Sequence, residues 1–400
     1  MTTEQNLLIR DVQIVTPNEV IDSGSVVVRG GRIVEVARTP LPPSEDGRTI
    51  DGHGLLLAPG LIDTHSDGLE KEISPRRTSH FPIDFALASF EARVRGAGVT
   101  TLCHGIGFNE KERTGRSVAR AREMVDAILE RNASPSVGVD HRLLYRTEAR
   151  DDVAIDPLVA DIDAGRTAGA ERVLVSFEDH TPGQGQFRDV EQYRAAVDPS
   201  SLAEGQTVEE FVDQLMAEGE ALRAVRDMNR DKLAPLALTE RITLLAHDVD
   251  TVESVEAAID MGATVAEFPV AKEAATAARD AGMAIVMGGP NALRGRSHSG
   301  NTSARELVAQ GLCDVLASDY MPSTLLGSVS AMVDAGDASL VDAFRLVTAG
   351  PADMLGLPNR GRIAEGAVAD LILVDRQGRW PVVVGVHRAD DHAGRSALGA

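Results

Sequence analysis

The sequence predicts an α/β chain: a (β/α)8, TIM-like barrel with a small β-sandwich domain formed by both chain termini. Two observations carry this. Between about residues 56 and 350, eight short apolar runs alternate with stretches of helical periodicity, which is the arithmetic of eight βα units. Outside that region the pattern changes to apolar/polar alternation, the mark of strands buried on one face. The expected limits are 1–55 and 357–400 for the two parts of the sandwich, the latter with a tail, and 56–356 for the barrel.

In chain order, residues 7–15 and 25–37 read as alternating strands, and Gly30-Gly31 punctuates the second run as a tight hairpin should. The barrel runs fall at 56–64, 99–105, 139–145, 172–177, 242–246, 263–268, 284–287 and 313–317. Helices between them carry boundary signals. Thr207 with Glu210 and Ser303 with Glu306 fit the capping box, and the Ala-rich stretch 271–282 ends on Gly282. Alternation returns at 361–375 and 380–386, and about ten final residues, ending at Ala400, are expected to fray. No internal repeat or low-complexity tract interrupts the pattern.

Composition narrows the function classes. The chain has 400 residues, 43% hydrophobic and 25% charged, enough for a large buried core. Forty basic against sixty-one acidic side chains give a net charge of −21, a field that repels nucleic acid and anionic membranes. A phosphorylated substrate would need local Arg and Lys clusters or metal ions working against that field. The N-terminus has no basic and apolar signal regions, and no apolar window approaches about 18 residues, so a cytoplasmic protein without membrane spans is expected. Cys103 and Cys313 lie in apolar runs and read as small buried hydrophobes.

The polar residues that close the apolar runs matter because a (β/α)8 barrel builds its site at the C-terminal ends of its strands. The first run ends in His65-Ser66-Asp67, where residues i and i+2 of a strand share a face. Alone, such a pair is ordinary structural chemistry. It recurs, however: His141 to Glu148 surround the third run, Glu178-Asp179-His180 follow the fourth, His247-Asp248 the fifth and Asp319 the eighth. Imidazole and carboxylate are ligands of Zn²⁺, Mn²⁺ and related ions, and two such ions can share a bridging carboxylate and clamp phosphoryl oxygens. Asp319 suits a general base, Glu148 reads equally as a solvated loop charge or a bridging ligand, and His104 reads as structural.

Basic residues are expected at the same end. Lys71 and Arg76-Arg77 follow the first run, Arg142 and Arg146 lie on the third, and a Gly-rich segment with Arg294, Arg296 and His298 follows the seventh. Arginine forks and glycine-rich turns both suit phosphate.

These motifs carry a family resemblance over essentially the whole chain. Leu-Ala-Pro-Gly-Leu-Ile-Asp-Thr-His at 57–65 and Gly-Arg-Ile-Ala-Glu-Gly-Ala-Val-Ala-Asp-Leu-Ile-Leu at 361–373 resemble the amidohydrolase superfamily. That resemblance implies a metal-dependent hydrolase, usually with His-x-His on the first strand, where this chain has Asp67. The ordered motifs at 65–67, 141–148, 178–187, 266–269, 295–301 and 318–320 resemble one branch, the α-D-ribose 1-methylphosphonate 5-triphosphate diphosphatases of the carbon–phosphorus lyase pathway. The branch implies hydrolysis of a phosphorylated sugar, the 5-triphosphate, to the 5-phosphate and pyrophosphate. By the same resemblance His65, Asp67, His180, His247 and Asp319 are metal ligands, Glu148 is the bridge with Glu178 or Asp179 as rivals, and Asp319 is also the base. Lys71, Arg76, Arg142, Arg146, Arg294, Arg296 and His298 would bind substrate. Two divalent ions are expected, zinc first, with Mn, Fe and Ni compatible; a homodimer is compatible too. The alternatives are an amidohydrolase acting on a cyclic amide or N-acyl group, and a non-catalytic barrel subunit of a phosphonate-processing assembly.

Overall fold

The computed structural model describes residues 6–45, 47–76, 78–110, 115–297 and 300–389. The N-terminal side supplies five short strands: β1 (Leu7–Val15), β2 (Val20–Arg29), β3 (Arg32–Ala37), β4 (Arg48–Asp51) and β5 (Leu56–Pro59). Eight parallel strands follow: β6 (Leu61–Ser66), β7 (Val99–Phe108), β8 (Asp140–Glu148), β9 (Val173–Glu178), β10 (Ile242–His247), β11 (Val265–Glu267), β12 (Ala284–Gly288) and β13 (Val315–Ala317). They pair in sequence order. Ser66 and Asp319 bridge the first to the last, so the barrel nearly closes. Asp63 fastens that seam, accepting from Ser318 N at 2.9 Å and Ser318 Oγ at 2.5 Å; burial pushes its carboxyl up to about 6 against those bonds.

The chain then returns to the first sheet through β14 (Leu371–Asp375) and β15 (Val382–His387). β14 pairs antiparallel with β5, so both termini complete one seven-stranded unit. Its β1 is long enough to pair β4 with its first half and β5 with its second. Ile9, Ile14, Val26, Ile33 and Leu373 fill its core.

Two apolar layers hold the barrel. Cys103, Leu144, Leu174, Leu245, Val265, Val286 and Val315, from successive strands, pack together as one cluster. The other layer joins strand residues to the surrounding helices, as Phe90 of the helix Ile83–Gly96 does. Truncating a buried Phe to Ala typically costs about 3–5 kcal/mol. Both cysteines are free and buried, and burial raises their thiols, to about 12 at Cys313. Among the described residues no helix is long and apolar enough to cross a membrane.

Three local expectations change. The run at 56–64 is two strands in two sheets, divided at Gly60. A Cβ there would lie 2.3 Å from Thr100 Oγ1, so only glycine lets the chain pass from one sheet to the other. The third barrel strand ends at Glu148, three residues beyond the run that marked it, because Arg146 and Thr147 are buried despite their polarity. The capping box forms at Thr207 and Glu210, but the Ser303 hydroxyl donates to Gly295 O at 3.1 Å instead of capping its helix.

Candidate metal centre

The mouth of the barrel receives side chains from most of its strands. β6, buried along its whole length, presents His65, and Asp67 precedes the helix Gly68–Ile73. β9 ends on Glu178 with His180 two residues on, β10 ends on His247, and Asp319 follows β13. Asp248, Phe268 and Asp319, just past three strand ends, have φ of 55°, 55° and 58°. Such left-handed non-glycine residues cost of order 1–3 kcal/mol and cluster at functional sites.

These ends assemble two groups of donors. His65, Asp67 and Asp319 form one; Glu178, His180 and His247 form the other; within each, the donor atoms lie within 4.8 Å of one another. Members of both line one cavity of about 300 Å³, together with Arg146, Arg294 and Tyr320. Arg146 spans the groups. Its Nη1 donates to Asp67 Oδ2 at 2.5 Å, and its Nε and Nη2 donate to Glu178 at 2.7 and 3.0 Å. A Cβ at Gly105 of β7 would lie 2.6 Å from Asp67 Oδ1 and 3.0 Å from Arg146 Cδ, so glycine leaves that pair its room.

Glu267, at the end of β11 and fully buried, joins the groups from behind. His65 Nδ1 lies 2.7 Å from its Oε1, and His247 Nδ1 lies 2.8 Å from its Oε2, which also accepts from Ser176 Oγ at 2.6 Å. One carboxylate thus fixes the orientation of an imidazole in each group, leaving each Nε2 for the cavity side.

The electrostatics suit a cation. Burial opposes charge on all these groups, but Arg146 and His65 still hold the Asp67 carboxyl far below the usual range, and His65 and His247 do the same for Glu267. Burial likewise disfavours the imidazolium, yet Glu267 and Asp67 hold His65 well above its ordinary value, and Asp248, Glu178 and Glu267 raise His247 to about 9. The carboxylates demand positive charge at these rings. A divalent ion supplies it without a proton. Two buried oxygens at the mouth, Asp67 Oδ1 and Asp248 Oδ2, make no close hydrogen bond; each has only an imidazole Nε2 near it, of His65 at 3.4 Å and of His247 at 3.5 Å, an oxygen–nitrogen arrangement that a cation can join. The residues present therefore fit a divalent metal. A third group, Asp11 and Asp51 of the terminal sheet with His53 in the turn after it, is mostly exposed, an ordinary state for surface acids.

The other expected site residues divide. Glu148 sits behind His180, its Oε1 2.9 Å from Nδ1, outside the Glu178 group; Asp179 pairs with Arg150 at 2.9 and 3.1 Å. Arg294 lines the cavity, and exposed Arg296 follows in the next loop. Lys71 Nζ lies 4.1 Å from the Tyr320 ring centroid; with Arg76 it lines a second concavity beside the first. Arg142 is not at the mouth. It lies six residues before the end of β8, roughly 20 Å along a strand, and its Nε donates to Asp140 Oδ2 at 3.1 Å. Arg77 and His298 lie outside the described residues. Glu267 and the bridging position of Arg146 carry no sequence signal of their role beyond a charged residue closing or entering a buried run.

The chain and its fold have known relatives. The model of the amidohydrolase family matches residues 207–390. The α-D-ribose 1-methylphosphonate 5-triphosphate diphosphatase of Escherichia coli (strain K12) is 36% identical over 375 residues, covering 93% of this chain and 96% of that protein. Among solved structures, an amidohydrolase superposes with a TM-score of 0.62 at 15% identity, covering 96% of this chain and 98% of the other. N-acetylglucosamine-6-phosphate deacetylase from Pasteurella multocida gives 0.56 at 12% identity, covering 96% and 99%; these two likenesses speak for the fold alone. With a barrel, a ligand-rich mouth and a relative matched end to end, the chain belongs to the amidohydrolase family.

Proposed function

We propose that this chain hydrolyses α-D-ribose 1-methylphosphonate 5-triphosphate to the 5-phosphate and pyrophosphate, as a diphosphatase of phosphonate catabolism. The observation that carries the reading is the pair of imidazole–carboxylate groups sharing one cavity, in a chain 36% identical over 93% of its length to a diphosphatase of that substrate.

In this reading His65, Asp67 and Asp319 would hold one divalent ion, and Glu178, His180 and His247 would hold a second. Zinc is the first choice for these donors, with Mn, Fe and Ni compatible. Glu178 replaces Glu148 in the ligand set, since Glu148 backs His180. When bound, the metal supplies Lewis-acid polarisation of a phosphoryl oxygen and lowers the pKa of water. The chain's own groups do the rest. Asp319, whose carboxyl is raised by burial and by the charge of Asp67, takes the proton of the attacking water. Arg146 keeps Asp67 and Glu178 ionised and in place. Arg294, on the cavity wall, offers the fork that matches a phosphate. Charge developing on the phosphoryl oxygens is met by groups already oriented, which is where such catalysis gains most.

Metal-loaded protein given the triphosphate beside a panel of cyclic amides and N-acyl compounds tests the reaction. One pyrophosphate per turnover is expected. Amide turnover without pyrophosphate contradicts it.

A further inference from the structure

A larger concavity adjoins the metal centre. It measures about 930 Å³ and lies between the helix Gly68–Ile73, which follows β6, and the helix Val118–Ala133, which follows β7. Lys71 lines this space and Tyr320 lines the metal-centre cavity, so their contact is a wall common to both.

Among the described residues the lining is basic in a chain that is not: Lys71, Arg76, Arg116 and Arg120 surround the space, with Glu70 as the acidic member. Arg116 neutralises Glu70, donating to Oε2 from Nη2 at 2.6 Å and from Nε at 3.1 Å. Among the described residues, Lys71, Arg76 and Arg120 have no carboxylate partner. Some surface arginines pair with acids, Arg93 with Glu72, Arg194 with Glu191 and Asp213, and Arg362 with Asp353, whereas exposed Arg188, Arg345 and Arg376 have no carboxylate partner among the described residues. In a chain of net charge −21, what sets Lys71, Arg76 and Arg120 apart from scattered solvated arginines is that all three face one concavity.

We propose that this concavity is a condensed-phosphate subsite, with Lys71, Arg76 and Arg120 as its direct contacts. It accepts pyrophosphate, either as the terminal part of a triphosphate chain or as the free ion. The two volumes argue the same way. Ligand sites commonly enclose roughly 300–1,000 Å³; the metal-centre cavity, about 300 Å³, is at the lower bound and its neighbour, about 930 Å³, near the upper. The basic concavity lies directly across the Lys71–Tyr320 wall from that smaller space. The link to catalysis rests on the reaction proposed above; the binding of pyrophosphate does not.

Calorimetric titration of the metal-loaded protein with inorganic pyrophosphate and with orthophosphate tests this in wild type, Arg120→Ala and Arg76→Ala, each with its metal content measured. Pyrophosphate should bind more tightly than orthophosphate, and each substitution should weaken it about tenfold or more, as loss of a charged hydrogen bond does, with metal content unchanged. Arg120→Lys should recover part of the loss. Arg76 is exposed, so its variant gives a folded readout even where Arg120→Ala does not. With the triphosphate as substrate, a raised KM at unchanged kcat assigns the subsite to the substrate's tail; weaker product inhibition alone assigns it to the free ion. Pyrophosphate affinity unchanged in both variants, or no pyrophosphate binding by wild type, overturns the inference. Weakened binding in the variants without any hydrolysis of the triphosphate leaves the subsite standing and removes the reaction, whereas hydrolysis with unchanged variant affinity does the reverse.

Discussion

Among the described residues, imidazole and carboxylate meet in two buried places, at the barrel mouth and between the barrel wall and the helix Ile83–Gly96. At the wall, both oxygens of Glu91 are taken: Oε1 accepts from Arg131 Nη2 at 2.7 Å and Gly138 N at 2.9 Å, and Oε2 from Arg131 Nε at 2.7 Å, with His141 Nε2 2.8 Å away. His141 Nδ1 in turn lies 2.9 Å from His104 Nε2, and both rings are fully buried. Burial and the neighbouring His141 hold His104 well below its ordinary pKa. The wall leaves only the His104 Nδ1 without a hydrogen-bond partner among these groups, whereas at the mouth Asp67 Oδ1 and Asp248 Oδ2 have none, facing only an imidazole Nε2 at 3.4 and 3.5 Å, and the donors border a cavity. Residue type does not separate a metal centre from a structural network. Carboxylate oxygens left without a hydrogen bond beside a cavity do.

Substitutions can break or sharpen that contrast. The largest effect is expected at the mouth: Asp319→Asn should lower kcat for pyrophosphate release by about 10²–10⁴-fold, the usual worth of a positioned acid or base, and a loss below tenfold would remove Asp319 from the proton transfer. Next, Glu267→Gln should weaken metal affinity about 10–100-fold, as loss of a ligand's supporting carboxylate does. Competition with a chelator measures it, and unchanged affinity would show that Glu267 does not join the two groups.

Effects at the wall should fall on stability alone. Glu91→Ala should cost about 2–3 kcal/mol in denaturant unfolding, with metal content and kcat retained. Burial works against the Glu91 charge, but His141 and Arg131 hold its carboxyl down to about 2 from an ordinary 4.5. The folded value lies below the unfolded one, so this stabilisation is complete above about pH 4.5 and is lost as pH falls toward 2. Glu91→Gln should flatten that acid limb; an identical pH profile in the variant would remove the network from acid stability. The smallest effect is expected at Arg142, paired with Asp140 far from the mouth, where Arg142→Ala should leave kcat/KM unchanged and a tenfold fall would return it to the substrate site.

The fold was legible because parallel strands covered on both faces read as apolar runs. That same uniformity hid the change of sheet at Gly60, since β5 and β6 are buried throughout and continuous apolarity carries no boundary. His65, Asp67, His180, His247 and Asp319 were legible because each stands within three residues of a run's end. Glu267 obeys the same rule at the end of β11, but its partners His65 and His247 are 202 and 20 residues away, and sequence spacing does not reveal that one carboxylate serves both. The end of β8 was obscured by Arg146, buried only through Asp67 and Glu178 on other elements, and that shift misplaced Arg142.

Metal bound per chain, measured after equilibration with zinc in wild type, His247→Ala and His141→Ala, tests the central contrast most directly. Two equivalents are expected in wild type, about one in His247→Ala and two in His141→Ala. Less than one equivalent in wild type, or a loss confined to His141→Ala, would contradict the assignment of the mouth as the metal centre.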